Sequence, residues 1–233
     1  MMQIKMRGMK ICDMRQVLKE FLYVRPDLKT IGNIENGNHG FAIALLDGRY
    51  LKITNDSSEF SVCKTFVGKK NKFLCDVFEL GNFYSQSQSR NYYWIVLEHL
   101  YKSEKQLWLN IAFKDFRHAW FSLFPSGIND YITWSDLWNI YKRQEHTKIL
   151  RTRQLLYDYI SNINDELPPF EMLSLNEINI RRERALFFFD FISKAYEELF
   201  ISCPYGRIDL NEGNFMFNFE GEIKVLDMQT ESE

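Results

Sequence analysis

Val17, Leu18, Phe21 and Leu22 recur at helical spacing and predict a short helix near the N-terminus, closed by Pro26. Gly32, Gly37 and Gly40 then interrupt any regular period. The apolar runs 41–46 and 49–54 flank Asp47-Gly48, a dipeptide suited to the two positive φ angles of a type I′ turn. They predict a hairpin with Lys52 on its second strand. Asn55, Asp56, Ser57 and Ser58 are all helix-capping types, and Phe60, Cys63, Phe66 and Val67 continue at helical spacing until Gly68. Segments 72–80 and 92–100 read as two further strands. The second, through Trp94, Ile95, Val96 and Leu97, is apolar at successive positions, the pattern of a strand covered on both faces.

Beyond residue 104 the character changes. Glycine occurs only at Gly127 between 104 and 201, and Trp108, Trp120, Trp134, Trp138, Leu155, Leu156, Tyr159 and Ile160 suggest stacked helices. Pro168-Pro169 marks a break. Ser174 and Glu177 have the three-residue spacing of a capping box, opening a helix to about residue 200 with Ala185, Leu186, Phe189, Ile192, Tyr196 and Leu199 on its apolar face. Cys203-Pro204-Tyr205-Gly206 ends it, and a second hairpin follows, 215–219 and 222–226 around Glu220-Gly221. The order predicts an α+β chain, strand-rich over 1–100 and helical over 101–233.

Composition narrows the function classes. With 45% hydrophobic and 26% charged residues, the 233-residue chain has the make-up of a globular domain, which excludes disorder. A net charge of -2 carries no overall electrostatic footprint for nucleic acid or an acidic membrane surface. No stretch approaches the ~20 apolar residues of a membrane span. Lys5, Arg7, Lys10 and Asp13 interrupt the first apolar stretch, which therefore does not resemble a signal peptide. Cys12, Cys63, Cys75 and Cys203 form no C-x-x-C pair and are expected to be buried free thiols. A reducing, cytoplasmic setting is the expectation, with no nucleic-acid or membrane partner.

Chemistry concentrates in the run 207–214, R-I-D-L-N-E-G-N, and in Leu226-Asp227-Met228-Gln229 after the second hairpin. A two-residue turn at Glu220-Gly221 would set Asn214 directly opposite Asp227, with Cβ atoms about 4.5–5.5 Å apart. With Asp209 upstream, this makes an oxygen-rich cluster suited to Mg²⁺ and its phosphate ligands. The upstream carboxylate remains to act on a substrate hydroxyl. Singly, each residue is ordinary: Lys52 is a strand lysine, Glu59 an acid at a helix start, and Asp209, Asn214 and Asp227 turn or strand-end residues. Their ordered occurrence together is what points to chemistry. Arg181, Arg182 and Arg184, and Lys142, Arg143, Lys148 and Arg151, read as solvated helix faces.

D-L-x-x-x-N, a short hairpin and then Asp resembles the catalytic core of the protein-kinase-like phosphotransferases. The other landmarks keep that order: a loop with Gly37 and Gly40, Lys52 in L-K-I-T, a capped helix with Glu59, and a buried strand ending Leu97-Glu98-His99-Leu100, similar to a kinase hinge. The wording D-L-N-E-G-N is most similar to minimal phage-encoded and bacterial effector protein kinases and to aminoglycoside-type phosphotransferases. The resemblance implies a two-lobed fold, with a small antiparallel-sheet N-lobe (1–100) and a truncated, mostly helical C-lobe (101–233). It implies Asp209 as base or orienter for the attacking hydroxyl, and Asn214 and Asp227 as ligands of Mg²⁺. Lys52 would contact the α- and β-phosphates of ATP, and Glu59 would hold Lys52. Gly37, Asn38, His39 and Gly40 would cover the phosphates, His39 either touching nucleotide or facing solvent. Backbone groups of Glu98 and Leu100 would meet the adenine edge.

Three departures qualify the pattern. Arg207 stands where the family usually has His, Met228-Gln229 follows Asp227 in place of Phe-Gly, and with six residues after Asp227 no activation segment is expected. The expectation is an ATP- and Mg²⁺-dependent kinase acting on a Ser or Thr hydroxyl of a protein substrate. One alternative is a small-molecule kinase of the aminoglycoside or choline type, favoured by Gly213-Asn214 and the long helical stretch. The other is a pseudokinase acting as a binding module.

Overall fold

The computed structural model describes residues 10–37, 39–123, 142–143, 146–165 and 167–230; Asn38, Trp134 and Trp138 lie outside the described residues. Helix α1 (Ile11–Val24) buries Met14, Val17, Leu18 and Phe21, one stripe at helical spacing. It precedes β1 (Thr30–Asn36), β2 (Gly40–Leu45), β3 (Tyr50–Thr54), α2 (Ser57–Phe66), β4 (Val77–Ser85) and β5 (Arg90–Leu97). The five strands form an antiparallel sheet in the order β1-β2-β3-β5-β4.

Strand alternation divides the sheet between two cores. Leu51 and Ile53 point towards the α1 stripe, with Phe41, Ile43, Leu45, Trp94 and Val96. Ile95 and Leu97 enter a larger core that takes in Val62, Cys63 and Phe66 of α2 and continues into the later helices. Strand β5, paired on both edges, contributes to both, as its unbroken apolar run predicts.

Four readings of this half are corrected. Strand β1 has no periodic signature, because Gly32, at φ +78°, breaks its alternation and the pairing with β2 is irregular between Ile31 and Glu35. Strand β4 starts at Val77, not at 72. The N–H groups of Lys72, Phe73 and Leu74 go instead to the Glu198 carboxylate, at 2.6, 2.7 and 3.1 Å. The β2–β3 turn has three residues: Ala44 pairs with Tyr50, Leu45 N–H donates to the Arg49 carbonyl at 2.8 Å, and Gly48 takes φ +83°. Of the four thiols, Cys12 is exposed and only Cys63, Cys75 and Cys203 are buried.

Helices α3 (Gln106–Leu123), α4 (His146–Ser161) and α5 (Leu175–Ser202) follow. Ser174 and Glu177 make both bonds of the capping box that opens α5. The predicted aromatic core is here: Phe113, Phe116 and Trp120 of α3 meet Phe188, Phe189 and Ile192 of α5 and Leu156 and Ile160 of α4. The basic helix residues are not simply solvated, since Arg182 stacks over Tyr157 and Arg184 Nη1 lies 3.9 Å from Asp115. Among the described residues no helix is long and apolar enough to cross a membrane.

The chain then forms β6 (Gly206–Ile208), β7 (Phe215–Phe217), β8 (Ile223–Val225) and β9 (Met228–Thr230), with β6 pairing β9 and β7 pairing β8. The β7–β8 turn also has three residues. Phe217 pairs with Ile223, Asn218 N–H donates to the Glu222 carbonyl at 2.9 Å, and Gly221 has φ +78°. Asn214 therefore faces Leu226, whose N–H donates to the Asn214 carbonyl at 2.8 Å, and not Asp227. A three-residue turn closed by a left-handed glycine needs one positive φ where the type I′ turn needs two, so Asp47 and Glu220 escape a strained conformation.

Candidate active site

Lys52 lies on β3 between Leu51 and Ile53, both of which face α1, so its side chain leaves the sheet on the opposite face with Tyr50. Its Nζ stands 2.6 Å from Glu59 Oε1 and 2.5 Å from Asp227 Oδ1. Glu59 sits in the first turn of α2, where the Asp56 side chain caps the helix by accepting from Ser58 and Glu59 N–H at 2.8 and 3.4 Å. The cap fixes where the helix begins, and with it the position of Glu59.

Asp209 and Asp227 leave the paired strands β6 and β9 side by side. Ile208 pairs with Met228, and Asp209 N–H donates to the Asp227 carbonyl at 3.2 Å. The loop then folds on itself: Asn211 N–H donates to the Asp209 carbonyl at 2.8 Å and Asn214 N–H to the Asn211 carbonyl at 2.9 Å. The side-chain amide of Asn214 donates to Asp209 Oδ2 at 2.8 Å and to its carbonyl at 3.1 Å. Those two bonds use the nitrogen, so the amide oxygen points the other way. Although Asn214 and Asp227 do not face each other across the hairpin, Asp209 joins them.

Electrostatics follow from burial and from this crowd of charges. Burial works against the Lys52 ammonium, but Glu59 and Asp227 outweigh it and hold the lysine protonated, its pKa raised. Burial, reinforced by the Asp227 charge, pushes Glu59 upward against the pull of Lys52. Asp209 is raised as well, chiefly by burial and then by Asp227, with the Asn214 hydrogen bond opposing.

These groups line one cleft of about 930 Å³. Its other end is apolar, with Ala42, Tyr50, Leu97, Met216 and Leu226 on the walls and His99 packed on the Tyr50 ring at 5.1 Å. Glu98 N–H is taken by the Asp76 carbonyl at 2.9 Å, so its backbone offers a ligand only the carbonyl, which the Cys75 thiol approaches at 3.7 Å. Leu100 N–H and carbonyl have no partner among the described residues. In the loop after β1, Gly37 N–H closes a turn on the Gly40 carbonyl at 2.9 Å, His39 is exposed, and Asn38 is not among the described residues. Gly40 is required by packing, since a Cβ there would lie 2.0 Å from the Ile53 carbonyl.

A hard cation suits the polar end. Asp227 and Asn214 both line the cleft, and neither Asp227 Oδ2 nor the Asn214 amide oxygen makes a hydrogen bond among the described residues. Among the described residues no three His, Cys, Asp or Glu side chains gather at one point. A cation held here would take one carboxylate and one amide oxygen from the protein and the rest of its ligands from elsewhere, an arrangement suited to a hard ion such as Mg²⁺. Tyr50 and Met216 escaped the sequence reading. Counting two residues back from Lys52 would have found Tyr50, whereas Met216 carries no signal until β7 is placed under the cleft. No protein-family model matches the chain, and no curated protein matches it in sequence.

Proposed function

We propose that the chain is an ATP- and Mg²⁺-dependent phosphotransferase of protein-kinase-like architecture, with residues 1–100 as nucleotide lobe and 101–233 as helical lobe. Its acceptor is a Ser or Thr hydroxyl of a protein. The observation that carries this reading is Lys52 held between Glu59 and Asp227, with Asp227 in turn hydrogen-bonded to the Asp209 backbone in the same cleft. Lys52 and Glu59 come from the first third of the chain and Asp209 and Asp227 from its end, each ordinary alone, and their meeting in one cleft supports the reading.

In this reading the apolar end receives the adenine, with the Leu100 backbone and the Glu98 carbonyl at its edge. Lys52 binds the phosphates, and the Glu59 carboxylate keeps the ammonium in place. Asn214 and the second oxygen of Asp227 would hold Mg²⁺, which when bound neutralises charge on the transferring phosphate. The acceptor oxygen forms its bond to the γ-phosphorus as the bond to the ADP oxygen breaks, and Asp209 takes the hydroxyl proton. The raised pKa of Asp209 favours proton acceptance, and the Asn214 amide aims its carboxylate. Most of the rate comes from positioned charge, as is general for phosphoryl transfer.

Thermal unfolding with and without Mg-ATP, paired with transfer of labelled phosphate to a protein extract by wild type and Asp209→Ala, tests the proposal. A stabilising shift and incorporation lost in the variant support it. A folded protein with no shift overturns it. Turnover of aminoglycosides or choline-like alcohols in place of protein changes the acceptor class, and binding without transfer makes the chain a nucleotide-binding module.

A further inference from the structure

The phosphotransferase reading leaves one buried charge unused. Lys224, on β8, is 3% exposed and three residues from Asp227. Its Nζ donates to the Asn71 carbonyl and lies 3.5 Å from Glu98 Oε2 and 3.9 Å from Asp76 Oδ1. Asp76 and Glu98 are themselves cross-linked. Glu98 N–H donates to the Asp76 carbonyl at 2.9 Å, Asp76 N–H donates to Glu98 Oε2 at 3.3 Å, and Asp76 Oδ1 accepts from Asn71 N–H at 2.7 Å.

Burying an ammonium is costly, and an apolar side chain at such a position often serves stability as well or better. Neighbouring Ile223 and Val225 show that β8 packs apolar residues readily. What a methionine could not do is hold three separate segments at once. Lys224 ties the strand that delivers Asp227 to the segment 71–76 and to Glu98 at the rim of the cleft. The same ammonium therefore touches both ends of the site, the apolar end through Glu98 and the phosphate end through β8.

We propose that Lys224 is a positioning residue that sets the spacing between the base-binding rim and the Asp227 end, and so the affinity for an intact nucleotide. The inference rests on the phosphotransferase reading for its ligand, but its structural half does not. Without Lys224, the Glu98 carboxylate loses its cation, and rim and β8 stay joined through backbone bonds alone, those of Val225 with Phe73 and Cys75 and that of Glu98 with Asp76, which fix no side-chain spacing across the cleft.

The test is Lys224→Met, read by Mg-ATP kinetics and by amide exchange without nucleotide. KM for Mg-ATP is expected to rise by about tenfold with kcat little changed, the pattern of lost ground-state positioning. Adding Glu98→Gln removes the stranded charge without restoring the tie, so KM should stay raised; recovery to the wild-type value would trace the loss to the unpaired carboxylate and overturn positioning. Exchange should quicken together at Glu98 N–H and Leu226 N–H. An unchanged KM in the folded variant overturns the proposal, as does faster exchange confined to 223–226 with Glu98 still protected. If wild type binds no Mg-ATP, the phosphotransferase reading falls, and the two amides alone decide whether Lys224 couples rim to strand. Should Lys224→Met fail to fold, Glu98→Gln carries the same test, because exchange must then rise at Leu226 on the far side of the lysine.

Discussion

Lys52 Nζ stands 2.5 Å from Asp227 Oδ1, although 175 positions separate the two residues along the chain. The pair joins the sheet to the last hairpin, and Glu59 shares the same ammonium. Lys52→Met removes the one cation between two carboxylates. We expect turnover to fall by about 10²–10³, the usual loss for one transition-state charge contact. Stability should fall by only ~1–3 kcal/mol, because Glu59, already raised, takes up a proton. Chemical denaturation beside single-turnover kinetics checks this; a variant that unfolds outright while retaining turnover per folded molecule would contradict it.

Asp227→Ala deletes the carboxylate that the phosphotransferase reading gives to Mg²⁺. The stabilisation by Mg-ATP, about 2.7 kcal/mol at 100 times the dissociation constant, is expected to vanish with it. Calorimetric scans with Mg-ATP, with ATP and EDTA, and with Mg²⁺ alone separate the contributions. A full Mg-dependent shift in the variant would remove Asp227 from the metal site.

Asp209 makes stability depend on pH in a definite direction. Its folded pKa is raised, so the folded state holds a proton that the unfolded state has already released. The contribution is present below the ordinary carboxyl value and is lost as pH rises through the elevated folded value. Glu59 acts with the same sign. Asp209→Asn should therefore melt higher than wild type near neutrality and show a flatter dependence above pH 4, at the expense of turnover. Parallel melting curves across pH would refute the shift.

Gly40 and Gly37 should respond to alanine very differently. A Cβ at Gly40 meets the Ile53 carbonyl at 2.0 Å, whereas at Gly37 its nearest neighbour is the Gly40 carbonyl at 3.5 Å. Gly40→Ala is expected to cost about 3 kcal/mol or more through backbone displacement. Gly37→Ala should change stability by less than about 1 kcal/mol. Urea titration of the two variants side by side decides the matter.

What could be read from the sequence was local or strongly periodic. The Ser174–Glu177 box lies within four residues, and β5 declares itself by apolar residues on both faces. Hairpin positions were legible from Asp47-Gly48 and Glu220-Gly221, but register was not. An X-Gly pair suits a two- or a three-residue turn, and the choice depends on whether Asp47 and Glu220 must adopt positive φ. That single-residue difference exchanged Asp227 for Leu226 opposite Asn214. The site survived the shift because β6–β9 pairing, invisible in the short segments 206–208 and 228–230, brings Asp209 to Asp227 by another route. The Glu198 carboxylate lies more than 120 residues from the amides it accepts, and Lys224 is buried only because Asn71, Asp76 and Glu98 arrive from elsewhere. No short-range pattern encodes either.

The larger core passes without interruption from α2 and β5 through Leu74 and Val225 into α3 and α5. A boundary drawn near residue 100 thus divides chemistry, not cooperativity. On its α2 side the sheet shares this core with the helices, so melting of one exposes apolar side chains of the other. Heat should take the chain apart in one transition, with the cleft lost at the same temperature as the helices behind it.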